Sequence, residues 1–161
     1  MQNNFDRMVR LAEEFFSAKT DPDQLLVTPE VIGRLKALHP ATMSERATAD
    51  GPVTWVLVFP TTRELMKAFL RGDVGERELF ASTAPGDNFE CVYLCSALVL
   101  PEHRGKGYSF SATVESLDAI RRDHPVTSLF VWEFSDAGRR LAESVARYLF
   151  LPLLFRNTVH R

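Results

Sequence analysis

Near the start of the chain, Phe5, Met8, Val9, Ala12, Phe15 and Phe16 recur every three or four residues. That period predicts an amphipathic helix over Asn4–Ser17 with one buried face. Asp21-Pro22-Asp23 is a turn signal. Thr28-Pro29-Glu30 reads as a helix start, with Thr28 as cap and Pro29 at the first helical position. Val31, Leu35 and Leu38 form the buried stripe of that helix, and His39-Pro40 ends it. Residues 41–52 read as a loop. Val53–Phe59 is an apolar run rich in β-formers, a buried strand stopped by Pro60. Thr61 and Glu64 then make a capping-box pattern ahead of Leu65, Met66, Phe69 and Leu70, in a helix ending near Arg71-Gly72. Glu76–Ala81 reads as a further helical turn and Pro85-Gly86-Asp87-Asn88 as a loop.

The strongest strand signal is Glu90–Leu100. A short polar turn, Pro101–Gly107, leads into a helix with Phe110, Thr113, Val114, Leu117 and Ile120 on one face, ended by Asp123-His124-Pro125. Thr127–Phe134 is another apolar strand. Ser135 caps a helix carrying Leu141, Val145, Tyr148 and Leu149, and Leu151–Arg156 reads as a short last strand. Strand–helix–strand–helix is the pattern of an α/β domain with parallel neighbouring strands. No repeat, low-complexity tract or linker interrupts it, so residues 1–161 are expected to form one domain.

Composition narrows the partners. A net charge of -2 argues against a dedicated nucleic-acid binder and against a polybasic membrane anchor. No apolar run is long enough for a transmembrane helix, and Met1–Arg10 lacks the apolar core of a signal peptide. Cys91 and Cys95 share one predicted strand, about 13 Å apart at strand rise and beyond disulfide reach. A reduced, cytoplasmic protein is therefore expected. No CxxC or clustered His/Cys spacing points to a metal site.

The candidate chemistry lies between the second strand and its helix, in Arg104-Gly105-Lys106-Gly107-Tyr108-Ser109. Gly105 and Gly107 allow a sharp turn and a close approach of backbone to ligand. The first amides of the following helix lack intrahelical partners, and the helix dipole adds positive potential there. With Arg104 and Lys106 beside them, these groups predict a phosphate or pyrophosphate cradle. The segment is not a P-loop, since GxxxxGK[ST] is absent, and GxGxxG fails at Phe110.

Val99, Pro101, Arg104 and Gly107, followed by the small Ser109, give this segment a resemblance to the GNAT superfamily of acyl-CoA-dependent N-acyltransferases. Their signature is a strand ending in Val-x-Pro and then [Arg/Gln]-x-x-Gly-x-[Gly/Ala]. The likeness covers residues 91–134 best. It implies a single α/β domain with a mixed central sheet flanked by helices, and acetyl-CoA or another acyl-CoA as co-substrate. The implied cofactor residues are Leu98, Val99 and Leu100, pairing with the pantetheine arm where parallel strands splay, and Arg104, Gly105, Lys106, Gly107, Tyr108 and Ser109 around the pyrophosphate. The family places two antiparallel strands just before the motif strand, whereas this sequence offers one, Val53–Phe59, and then a helix.

Transfer of an acyl group to an amine calls for a base and an acid. The resemblance implies Tyr148 as acid, its other reading being core packing beside Val145 and Leu149. It points to Tyr93, with Glu90 further out, at the position of a base early in the motif strand, and Glu133 is the other carboxylate near the splay. His103 reads as an exposed loop residue and Cys95 as a buried strand residue. Residues 73–90 hold five acids (Asp73, Glu76, Glu78, Asp87 and Glu90) against Arg77 alone, a rim that would favour a cationic amine. The expected acceptor is a small-molecule or peptide amine, and a homodimer is compatible with the sequence. The alternative is a GNAT-fold protein that binds acyl-CoA as a sensor or scaffold without efficient catalysis.

Overall fold

The structure, a computed structural model, describes residues 3–18, 23–132 and 135–156. Asp21, Pro22, Glu133 and Phe134 therefore lie outside the described residues, as does the side chain of Phe16. The described residues form an α/β domain with a five-stranded mixed sheet and six α-helices. In chain order these are α1 (Asn4–Ala18), α2 (Pro29–Leu38), β1 (Met43–Thr48), β2 (Gly51–Thr61), α3 (Arg63–Arg71), α4 (Glu76–Ser82), β3 (Cys91–Val99), α5 (Tyr108–Asp123), β4 (Ser128–Val131), α6 (Asp136–Leu149) and β5 (Leu153–Phe155). The strands lie side by side in sequence order. β1–β2–β3 are antiparallel, and β3–β4–β5 are parallel.

Side-chain alternation on the strands divides the core. Leu57, Phe59, Tyr93 and Phe130 face α2, α3 and α4. Val56, Val58, Val92 and Leu129 face α5 and α6. On the first of these sides, Met8 of α1 packs with Val53, Leu98 and Leu100 near the end of β3. Local signals set the helix ends. The Thr28 hydroxyl accepts from Val31 N–H at 3.2 Å, with Pro29 next to it. Such a cap contributes about 1 kcal/mol. Gly72 closes α3 in the left-handed conformation.

Four expectations need correcting. Pro60 does not stop the second strand, which runs through it to Thr61 with Pro60 opposite Val92. Residues 41–52 are not a loop: Met43–Thr48 pairs with β2, and the pair turns through Ala49-Asp50. β1 is a polar edge strand with no apolar face of its own, so its sequence carries no strand period. It is held by the ladder to β2 and by Arg46, which reaches Glu115 of α5 at 2.6 Å. The cap of α3 is Thr62, one residue later than expected, accepting from Leu65 N–H. The buried face of α5 is turned, with Ala112 and Ser116 inside while Phe110 and Val114 are only partly covered. No helix among the described residues is long and apolar enough to cross a membrane.

Candidate functional site

β3 is paired to β2 along its whole length, from Cys91 opposite Thr61 to Val99 opposite Thr54. To β4 it is paired only from Cys91–Ser128 to Leu94–Val131. Beyond that point the two parallel strands have no described pairing, and among the described residues the edge of β3 from Ser96 to Val99 has no strand partner on that side. Part of the cause lies in β3 itself. Its register with β2 slips between Leu57 and Val58, so Cys95 is an extra residue. Such a bulge bends the strand and increases its local twist. It also inverts the alternation. Cys91 and Tyr93 face the α2–α4 side before it, and Ser96 and Leu98 face that side after it.

Beside the end of that pairing lies a cavity of about 540 Å³ that reaches both faces of the sheet. This is within the usual range of small-molecule sites. Val56, Val58, Thr113 and Leu141 wall the α5–α6 side. Leu11, Phe15, Leu57, Leu98 and Trp132 wall the other. Arg104, Gly105 and Ser109 stand at its end. They also line an adjoining space of about 150 Å³ with Val99, His103, Gly107 and Tyr108.

The turn at that end leaves the start of α5 without a side-chain cap. Gly105 (φ 76°) and Gly107 (φ 80°) are left-handed, which a glycine adopts without the penalty of a Cβ. Gly107 is the N-cap of α5 and supplies no side-chain bond to the first turn, which contains no acidic residue. The first-turn amides and the dipole are thus left for a ligand. The start of α6 also lines the cavity, through Ser135, Ala137 and Gly138. It differs electrically: the Ser135 hydroxyl already accepts from Gly138 N–H at 3.1 Å, and Asp136 sits in the first turn. It contributes wall rather than charge. His103, expected to be an exposed loop residue, is half-buried, and its Nδ1 has no hydrogen-bond partner among the described residues.

The structure brings together Leu98, Val99, Arg104, Gly105, Gly107, Tyr108 and Ser109. It separates two expected cofactor residues from them. Leu100 is packed with Met8 and Val53, its N–H donating to Val53 C=O, and Lys106 projects into solvent outside both spaces.

The expected acid and base are placed elsewhere. Tyr93 is completely buried among Phe59, Phe69 and Phe130. Its hydroxyl donates to Glu76 Oε2 at 2.6 Å. Burial pushes its phenol well above the ordinary value, and the Glu76 carboxylate adds to this. It is a core residue, unsuited to take a proton from substrate. Tyr148 is 60% exposed and lies against Phe110 at 5.5 Å between ring centres. It is neither in the core nor among the residues lining the cavity. Glu133 lies outside the described residues. Among the described lining residues, Cys95 and Arg104 are the only titratable ones.

The acidic rim does not form. Glu76 is buried and accepts from Leu25 N–H at 2.8 Å as well as from Tyr93. Asp73 pairs with Arg71 and Glu90 with Arg63, and none of the five acids lines the cavity. Leu11, Phe15 and Trp132 escaped the sequence reading because nothing in a stripe of apolar residues distinguishes core packing from the wall of a cavity. Among the described residues, no cluster of three or more His, Cys, Asp and Glu is placed to hold a metal ion. Comparison of the chain with protein-family models, curated proteins and solved structures finds no match.

Proposed function

We propose that this protein is an acyl-CoA-dependent N-acyltransferase, transferring an acetyl or other acyl group directly to an amine in a reduced, cytoplasmic setting. One observation carries the reading. The described pairing of the parallel strands β3 and β4 ends at Leu94 and Val131, and the cavity beside it reaches an uncapped helix start next to Arg104. An extended ligand with an anionic head and an amide-bearing arm fits that combination. The orphaned Nδ1 of His103 and the open space around Gly105 and Gly107 agree with a ligand there.

Each part of the chain has a task in this reading. The amides from Gly105 to Ser109 hold the pyrophosphate, and Arg104 adds charge. The edge of β3 between Ser96 and Val99, without a strand partner among the described residues, offers backbone groups to the arm. It also offers N–H donors to the oxygen of the reacting carbonyl. Bound acyl-CoA supplies the acyl group already activated as a thioester. The apolar walls keep water away from that bond. The described residues lining the larger cavity include Cys95 and Arg104 but no carboxylate, histidine or tyrosine, and in this reading water at the cavity mouth carries the protons.

The same observation favours one further reading, an acyl-CoA sensor or scaffold with little turnover. Calorimetry with acetyl-CoA tests the site, and release of free thiol against a panel of amines tests catalysis. Tight binding without thiol release would select the sensor. Absence of binding would remove both readings.

A further inference from the structure

The cavity is unequal at its two ends. Its anion end is on the α5 side, while the opposite wall, formed by Leu11, Phe15, Leu57, Leu98 and Trp132, is apolar and partly aromatic. Ser96 is the polar side chain nearest that wall in the strand register, opposite Leu57. Resting on the acyltransferase reading, we propose that the acceptor is a primary amine bearing one aromatic or branched aliphatic group and no second charge, and that this wall binds that group.

Two physical effects point the same way. A second ammonium placed against Leu11, Phe15, Leu57, Leu98 and Trp132 would lose water and meet only apolar side chains there. The reacting amine must be neutral, and desolvation beside apolar side chains lowers an amine's pKa. The Arg104 charge at the far end pushes in the same direction. The wall that binds the apolar group thereby helps produce the nucleophile. The nitrogen then forms the C–N bond to the acyl carbon and the C–S bond breaks. One proton leaves the nitrogen for water, and the sulfur takes one from water.

The test uses the full chain with acetyl-CoA and follows free thiol. Ethylamine, isoamylamine, phenethylamine and putrescine are compared at one pH. Each additional buried methylene should raise kcat/KM about fourfold, and phenethylamine should exceed putrescine by about tenfold or more. Phe15→Ala should lower kcat/KM for phenethylamine about tenfold and lower it less for ethylamine, so that the ratio between the two amines falls, with acetyl-CoA affinity followed by calorimetry. Leu11→Ala gives the same comparison if the first variant melts. A preference for putrescine would overturn the proposal. So would indifference to the amine together with faster reaction of hexanoyl-CoA than acetyl-CoA, which would give the wall to the acyl chain. Acetyl-CoA binding with either result overturns the acceptor assignment alone. Failure of the native chain to bind acetyl-CoA overturns the acyltransferase reading beneath it as well.

Discussion

Replacing Gly107 with Asp puts a carboxylate at the start of α5, where the proposed pyrophosphate would lie. Gly107 has φ 80°, and no atom stands within 4 Å of where its Cβ would be. The fold therefore pays no steric cost, only that of a left-handed non-glycine residue, roughly 1–2 kcal/mol and less for Asp or Asn. A carboxylate at a helix N-terminus returns about 0.3–1 kcal/mol. The melting temperature should fall by only a few degrees. Binding is affected much more. Two unit charges 4 Å apart repel by about 4 kcal/mol at an effective dielectric of about 20 and by about 1 kcal/mol in bulk water. Gly107 is solvent-exposed, so the loss of CoA affinity should fall between about fivefold and about a thousandfold. Gly107→Asn has the same shape and backbone demand without the charge, and should lose less than about threefold by the same reckoning. Calorimetry with CoA on native, Asp and Asn proteins measures both. The Asp–Asn difference should shrink in high salt, where the Debye length falls to about 3 Å at 1 M. Equal losses in the two variants would mean that backbone strain, not charge, is responsible. A folded Asp variant with native CoA affinity would show that this turn is not the anion site.

Four other perturbations test neighbouring claims. Arg104→Ala should weaken CoA by about tenfold or less, because one charge goes and the helix amides remain; calorimetry reads it. Tyr93→Phe leaves the buried Glu76 Oε2 without its donor and should cost about 1–3 kcal/mol in urea unfolding, with the pH dependence of any thiol release unchanged. Tyr148→Phe should leave thiol release within about twofold, since its hydroxyl lies outside the cavity lining; a hundredfold fall would restore Tyr148 as the acid. Glu102 is hydrogen-bonded to Arg7, which holds its carboxyl down to about 2 from an ordinary 4.5. A depressed folded pKa stabilises above the unfolded value and loses that contribution as pH falls from about 4.5 toward 2. Urea midpoints of the native protein should therefore drop more steeply over that window than those of Glu102→Gln, by a small amount because the pair is exposed.

Much of this molecule is legible from local pattern. The extent of α1, the Thr28-Pro29 start of α2 and the Ser135 cap of α6 are decided within a few residues by backbone geometry and hydrogen bonding, and they stand where the pattern puts them, although Phe5 of the expected α1 stripe is exposed. The β3–turn–α5 unit is equally local: its glycines, cations and uncapped helix start are contiguous in the chain. β1 was hidden because an edge strand owes its existence to the partner's ladder rather than to its own side chains. Tyr93 and Tyr148 were misplaced for a related reason. An apolar strand buried on both faces has no polar side to fix its phase, and the bulge at Cys95 inverts that phase halfway along β3. On α6, Val145 and Leu149 are buried while Tyr148 between them turns outward against Phe110.

By itself, then, the sequence determined the order of the elements other than β1, most helix caps and the glycine-bearing turn before α5, because each depends on groups only a few residues apart. The tertiary structure alone decided that the described pairing of β3 with β4 ends after four residue pairs, that a cavity through the sheet lies beside that end, and that α1 and Trp132 close one end of the cavity with apolar walls. Those features depend on where strands far apart in the chain stop pairing, and an empty space between elements is a property of their relative placement that no single stretch of residues encodes.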